Sequence, residues 1–376
     1  MFDVAIYRHQ LFKRSEPFIE QQAAHLVGVR PIMVGRERWG SAPDGMASIA
    51  MSDRPDYKGK WTQAWHAMTR ASGPVAELLR PFDIRLIHAH FGVEGVYAER
   101  LASRLDVPLV TTFHGFDVTT RTGQMLKSGK PAWLNYLIHR RSLARSGALF
   151  LCVSNFIREK ALAQGFPEDR TRLHYIGVDT RTIVPPVHRG DSPVVLHVGR
   201  LVEKKGCDDL IKAFATLPKR HIDWHLAIVG DGPLKAALTQ LVTSLGIADR
   251  VTFMGARSQA EVLGLMSNAA ILCQPSVTAR SGDAEGLPMV ILEGAASGLP
   301  VVGTYSGGIA EAIVDGQTGF LVEERAVNRL SSCLINLMDS SKLREEMGSA
   351  ARSRAEKNFD VSRQSALLAD FYKELI

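Results

Sequence analysis

Three stretches in the second half of the chain set charged residues and glycines at spacings suited to phosphate or hydroxyl chemistry. In HVGRLVEKKG, Arg200 and Lys205 stand just past an apolar run and just before a helix expected to begin near Gly206. A guanidinium fork and a compact ammonium at such a junction suit a diphosphate, and a solvated basic loop is the alternative. SGDAEGLPMVILEGAASGLPVV carries two carboxylates, Glu285 and Glu293. Pro288 is suited to open a helix, which puts Glu293 on the second turn. The N–H groups of Gly286, Leu287 and Met289 would then face hydroxyl or phosphate oxygens. Carboxylates in apolar surroundings are costly without donors, and the hydroxyls of a sugar and a ribose would serve. The alternative, a loop charge and a solvent-facing helix residue, fits poorly with the apolar run Met289–Leu292. In TYSGGIAEAI, Gly307–Gly308 precede a helix start, where unhindered amides would form an anion nest.

The first half carries IHAHFG and TFHGFDVT. His88 and His90 alternate on one face of a strand end. They have no third ligand at a recognised zinc spacing, so hydrogen-bonded histidines are expected rather than a metal site. His114 follows the next apolar strand. Asp117 either orients and charge-pairs with that imidazole or caps the following helix.

Short apolar runs separated by helix-length segments must hold these groups in place. The strands are expected at Val4–Tyr7, Val27–Val34, Ile84–His90, Pro108–Phe113 and Ala148–Ser154, then Val194–Val198, His225–Val229, Val251–Phe253, Ile271–Gln274, Pro300–Gly303 and Gly319–Val322. Helical spacing falls between them, as in Asp208–Leu217, Leu234–Leu245 and Glu261–Ala269. Alternating βα units predict parallel sheets covered on both faces, whose ligands bind beyond the carboxyl ends of the strands. The polar, proline-bearing segment Thr180–Pro193 divides the series into two doubly wound domains, drawn at residues 1–185 and 186–358.

The chain has 376 residues, 45% hydrophobic and 22% charged, which excludes a disordered or fibrous protein. Residues 1–185 hold 25 basic and 17 acidic side chains, and residues 186–376 hold 20 and 22. The positive charge therefore lies in the first half and points to an anionic partner. YKGKWTQAWHAMTR places Trp61 and Trp65 one helical turn apart, flanked by Lys58, Lys60 and Arg70. AWLNYLIHRRSLARSG combines Trp133, Leu137 and Ile138 with Arg140, Arg141 and Arg145. Each fits either a basic amphipathic helix on an anionic membrane or a core-facing stripe with a solvated basic face. Nucleic acid is disfavoured, since no recognisable module accompanies the charge. Cys152, Cys207, Cys273 and Cys333 form no C-x-x-C pair, which reads as a reduced, cytoplasmic chain without disulfides or structural zinc. The N-terminal apolar run is too short for a signal segment, and no run is long enough to span a membrane.

As a set, GR…EKKG, VGDGP, VTFMG, Glu285-x7-Glu293 and SGG-x-x-E resemble the donor domain of family 4 glycosyltransferases over roughly residues 190–325. The resemblance implies the α/β GT-B fold, two Rossmann-like domains facing an interdomain cleft, with Phe359–Ile376 crossing back to the first. It implies transfer of a sugar from a UDP- or GDP-sugar with retention of configuration and no required metal or other cofactor. On that resemblance Arg200 and Lys205 neutralise the pyrophosphate, Glu285 holds sugar hydroxyls, Glu293 binds the ribose, and the backbone around Gly255–Arg257 contacts the base. His114 would reach the donor sugar and phosphates, and a donor phosphate oxygen would take the acceptor proton. No Asp-x-Asp occurs.

The first strand departs from the commonest family pattern, with no glycine-rich loop after it. Ser15-Glu16-Pro17-Phe18, IHAHFG and SVTARSGDAEGLP instead resemble the subgroup active in colanic acid and related exopolysaccharide synthesis. Ser15 and Glu16, with His90 and Asp117, are candidates for the acceptor side, and a plain helix N-terminus explains the first two equally well. The expected partners are a nucleotide sugar, a saccharide or polyprenyl-linked acceptor, and an anionic membrane surface approached from the cytoplasmic face. A GT-B epimerase would convert donor without acceptor. A sugar-nucleotide-binding protein without catalysis would not need Arg200, Lys205, Glu285 and Glu293 together. A dinucleotide-dependent dehydrogenase is disfavoured because no G-x-G-x-x-G follows the first strand of either half.

Overall fold

The structure is a computed structural model that describes residues 1–13, 15–55, 60–186 and 192–376. Its contacts divide the chain into two units, Met1–Gly177 with Val361–Ile376, and Val178–Asp360. The boundaries drawn from the sequence lie at 185/186 and 358/359, against 177/178 and 360/361 here. The expected linker lies outside the described residues at 187–191.

In the first unit, strands β1 (Phe2–Leu11), β2 (Val29–Arg38), β3 (Ala47–Ala50), β4 (Ile84–His90), β5 (Leu109–Phe113), β6 (Leu149–Cys152) and β7 (Thr171–Leu173) form one sheet in the order β3-β2-β1-β4-β5-β6-β7. Every pairing is parallel. Helices α1 (Pro17–Ala24), α2 (Lys60–Thr69), α3 (Gly73–Leu79), α4 (Gly92–Leu105), α5 (Phe116–Thr119), α6 (Thr122–Lys127), α7 (Pro131–Ser146) and α8 (Asn155–Ala163) lie between the strands. Strand β1 is buried along almost its whole length, as a central strand covered on both faces must be. It nonetheless carries Arg8 and His9 near its carboxyl end, both buried. The short edge strands β3 and β7 are additions to the expected set.

The second unit contains β8 (Val194–Val198), β9 (His225–Val229), β10 (Val251–Gly255), β11 (Ile271–Gln274), β12 (Val301–Thr304) and β13 (Gly319–Val322), ordered β10-β9-β8-β11-β12-β13 and parallel throughout. Helices α9 (Cys207–Ala215), α10 (Lys235–Ser244), α11 (Gln259–Asn268), α12 (Met289–Ala296), α13 (Ile309–Ala312), α14 (Val327–Asp339) and α15 (Ser341–Asn358) accompany them. Leu210 and Phe214 of α9 and Leu334 and Leu337 of α14 pack with Leu226, Ile228 and Ile271 of the sheet into one buried core.

The last helix, α16 (Val361–Lys373), belongs to the first unit. Polar anchors fix it there. Tyr372 Oη and His88 Nδ1 share a hydrogen bond of 2.6 Å, and His174 Nε2 donates to Gln364 O at 2.9 Å. Ser365 Oγ donates to Gln22 O of α1 at 3.0 Å.

Candidate functional site

In the second unit, three loops leave the carboxyl ends of β8, β11 and β12 and close on one another through two glycines. Gly206 has φ +60°, and a Cβ there would lie 1.9 Å from Pro275 O; Gly307 has φ +58°, and a Cβ there would lie 2.1 Å from Glu285 O. Only glycine adopts this conformation while letting another backbone approach so closely. Lys205, on a 3-10 turn after β8, puts Nζ 2.8 Å from Glu285 Oε1, with side chains 14% and 9% exposed. Lys204 Nζ lies 3.1 Å from Asp283 Oδ1 beside it. Burial pushes the Glu285 carboxyl up, but Lys205, Lys204 and Arg200 outweigh it and hold it below the usual carboxylate range. Arg200 itself is exposed and has no side-chain partner among the described residues. One ammonium, one free guanidinium and one ionised carboxylate therefore meet at a strand–helix junction, where the two cations suit a phosphate and the carboxylate suits hydroxyl donors.

Pro288 occupies the N-cap position of α12 and Met289 its first turn. Among the described residues no backbone partner takes the N–H of Gly286, Leu287 or Met289. Glu293 is buried, accepts from Gln259 Nε2 at 2.9 Å, and has its carboxyl pushed up by burial. A carboxyl in that state favours a further hydroxyl donor. Gly255 ends β10 at φ +70° with open space beside its Cα, and its carbonyl accepts from Gly230 N at 2.8 Å. Arg257 is exposed and tied to Glu261 at 3.2 Å. The Gly307–Gly308 turn differs from the expected anion nest. Gly308 N–H donates to Glu285 O at 3.1 Å, so the turn braces the loop that carries Glu285.

In the first unit, His114 follows β5. Its Nε2 lies 3.0 Å from His90 Nδ1, its ring packs on Phe91 and Phe18 with centroids 4.4 and 5.1 Å away, and its buried Nδ1 has no partner. Burial, then the Arg8 charge, holds its pKa well below the usual histidine value, so it is neutral. Asp117 does not engage the imidazole. Its oxygens accept from Gly115 N and Gly92 N, each at 2.9 Å, fixing the start of α4 as well as the local turn. His88 has both ring nitrogens engaged, by Tyr372 and by Thr112 Oγ1 at 2.7 Å, which removes it from any zinc pair. Glu16 is not open to an acceptor: Arg8 Nε donates to it at 2.9 Å, and Lys13 lies 3.3 Å away. Ser15 is exposed.

Several buried polar groups escaped the sequence reading. Arg8 lies between Glu16 and Glu94, over the Phe91 ring, and His9 Nδ1 is 3.4 Å from Glu94. The signal was a polar pair interrupting a strand otherwise fit for the sheet centre. In the second unit, His197 donates from Nδ1 to Cys273 O at 2.9 Å and leaves Nε2 unpaired. The Gln274 amide at the end of β11 and Ser306 Oγ after β12 are buried without partners. Such groups are rare in native proteins and ask for a polar ligand or water.

Facing outward on the first unit are Trp61, Trp65 and Met68 of α2 with Leu134 and Ile138 of α7, between 50% and 90% exposed. Lys58 lies outside the described residues, as does the side chain of Lys60. Among the described residues no helix is long and apolar enough to cross a membrane, and no group of three or more His, Cys, Asp and Glu side chains is placed to share a metal ion.

Two parallel-sheet Rossmann-like units with charged loops at the strand ends define a GT-B protein. The chain matches the model for glycosyl transferases group 1 over residues 179–354 and that for glycosyltransferase family 4 over residues 27–182. It is 30% identical over 302 residues to the colanic acid biosynthesis glycosyltransferase WcaL of Salmonella typhimurium, covering 78% of this chain and 72% of WcaL. The chain belongs to this glycosyltransferase family. It is 29% identical over 373 residues to the GDP-mannose-dependent alpha-(1-6)-phosphatidylinositol monomannoside mannosyltransferase of Mycolicibacterium smegmatis, covering 94% of this chain and 93% of that one. The crystal structure of Anabaena HepE in complex with UDP has the same fold, with a TM-score of 0.76, 20% identity and full coverage of both chains.

Proposed function

We propose that this protein is a retaining, metal-independent glycosyltransferase of exopolysaccharide assembly. It takes a sugar from a UDP- or GDP-sugar and transfers it to a saccharide or polyprenyl-linked saccharide. The observation that carries this reading is the buried Lys205–Glu285 contact of 2.8 Å beside the free Arg200 guanidinium. In the reading, Lys205 and Arg200 bind the diphosphate and stabilise the charge that develops as it leaves, the preorganised electrostatics that usually dominates catalysis. Glu285 accepts from sugar hydroxyls, helped by the free amides of Gly286 and Leu287. Glu293 accepts from the ribose, and the backbone near Gly255 and Arg257 meets the base. In the first unit we assign neutral His114 a substrate contact through the Nδ1 that no protein group occupies. WcaL supports the polysaccharide context, and the mannosyltransferase supports a lipid-borne acceptor.

We place the protein at the cytoplasmic face of an anionic membrane, resting on the outward Trp61, Trp65, Met68, Leu134 and Ile138.

The test is incubation of UDP- and GDP-sugars with the protein, with and without membrane lipid extract, followed by NMR of the product linkage. Sugar consumed only with lipid, retained anomeric configuration and indifference to EDTA are expected. Sugar interconversion without lipid would instead identify an epimerase, and an inverted linkage would overturn the retaining assignment.

A further inference from the structure

A second polar site lies on the first unit, well along α4 from the strand ends. That helix begins at Gly92, directly after β4. Arg100 and Arg104 therefore sit roughly 12–18 Å along it, at about 1.5 Å per residue. There a cavity of about 450 Å³ is lined by Arg70, Ser72, Arg100, Ser103, Arg104 and His139. The carboxylate in its wall is already satisfied. Glu99 accepts from Arg70 Nη2 at 2.6 Å, Ser142 Oγ at 2.5 Å and Ser146 Oγ at 2.9 Å.

Two of the three cations are held in place by the fold. Arg70 is only 4% exposed and sits in the left-handed region at φ 56°, with Nε and Nη2 both donating to Val96 O. Its Nη1 has no partner among the described residues, although it belongs to a buried guanidinium. A non-glycine residue in that conformation persists only where its surroundings over-determine it. Arg100 Nη1 is fixed by Thr69 O at 3.0 Å. Arg104 and the hydroxyls of Ser72 and Ser103 have no partner among the described residues. Three guanidinium groups and two free hydroxyls, against one carboxylate already bonded to Arg70, Ser142 and Ser146, make a donor-rich basin suited to a tetrahedral oxyanion. Burial first, then the Arg70 charge, pushes His139 below its ordinary pKa, with Glu99 opposing them.

The source of the oxyanion follows from the neighbouring surface. Arg70 lies just past α2 and His139 is on α7, the two helices that turn Met68, Leu134 and Ile138 outward at 67%, 50% and 60% exposure. A soluble phosphate would leave that apolar face uncovered; a lipid phosphate would meet both at once. We propose that the basin binds the phosphate of an anionic lipid headgroup, with the α2 and α7 side chains against the acyl boundary. This rests on the membrane reading above and gives it a specific anchor.

The test is co-sedimentation of the full chain with vesicles of phosphatidylglycerol and phosphatidylcholine in equal parts, against vesicles of phosphatidylcholine alone. Arg100→Gln/Arg104→Gln is compared with Arg80→Gln/Arg85→Gln, which removes the same charge from exposed positions elsewhere on the unit. Arg104→Gln alone serves as a variant that breaks no internal bond. Wild type is expected to sediment only with the anionic vesicles. The basin variants should weaken binding roughly tenfold or more, and the control pair much less. Equal losses in both pairs would reduce the effect to net charge and overturn the site. Capture of inorganic phosphate or glycerol phosphate through Arg104, with no vesicle binding, would assign the basin to a soluble ligand and overturn the lipid source. UDP binding by the same variants should match wild type, so failure of the donor-site reading and failure of this one are separately visible.

Discussion

Lys205 and Glu285 form a nearly water-free ion pair, and removing one partner from such a pair leaves the other charge stranded. Lys205→Ala should therefore lose turnover by about a hundredfold or more and also cost about 3 kcal/mol in urea unfolding. Lys205→Met/Glu285→Gln should recover most of that stability and none of the turnover, which separates the structural role from the chemical one. Near-normal kinetics in Lys205→Ala would remove its assigned role. The pair also has a pH signature. The folded pKa of Glu285 lies below its ordinary value, so its contribution is present above about pH 4.5 and fades as pH falls through the lower folded value. Unfolding measured between pH 6 and 3 should show a steeper acid loss in wild type than in Glu285→Gln. These two residues were legible in the sequence because charge in a Gly-rich, apolar stretch is conspicuous. Arg8 was not, since one arginine in a strand looks like a surface residue until Glu16 and Glu94 are seen on either side of it. Asp117 was legible as a polar residue near His114, but that its oxygens go to backbone amides emerges only in the fold, which brings Gly92 beside it.

At the level of elements, the strands that carry the site were read with little error because buried parallel strands are continuous apolar runs. Ile84–His90, Val194–Val198 and Ile271–Gln274 match residue for residue. Ala47–Ala50 and Thr171–Leu173 escaped because short edge strands lack that pattern. The Gly307–Gly308 turn is visible in the sequence, but the bond from Gly308 N–H to Glu285 O is not. The turn admits the Glu285 carbonyl at a distance no side chain permits. Gly307→Ala should therefore cost on the order of 1–3 kcal/mol and weaken nucleotide binding by displacing the Glu285 loop. Calorimetry and thermal melting of that variant check both effects. Helix α16 depends on His88, whose pKa is pushed down to about 3 by burial and then by His174. An imidazole kept neutral in the fold contributes stability above its unfolded value near 6.5, and that contribution is lost as pH falls from there toward 3. Hydrogen exchange in α16 should accelerate over this window before the β1 amides do. Tyr372→Phe, which removes the 2.6 Å bond to His88, should cost about 1 kcal/mol at neutral pH.

On the scale of the whole molecule, the residues proposed to hold the diphosphate, Arg200 and Lys205, lie in the unit Val178–Asp360, while the basic surplus lies in the first half of the chain. The charge asymmetry and the motif series were both readable from sequence, because they depend on residue type and order alone. The basin around Arg70 was not, since it joins residues from the segment after α2, from α4 and from α7 that are far apart in the chain. If the loops after β8, β11 and β12 form the proposed nucleotide-sugar site, isothermal titration of the full chain with UDP, GDP and NAD will show it. Tight binding of one nucleoside diphosphate, none of NAD, and loss of that binding in Lys205→Ala are expected. Binding of none of the three, or of NAD alone, would contradict that reading.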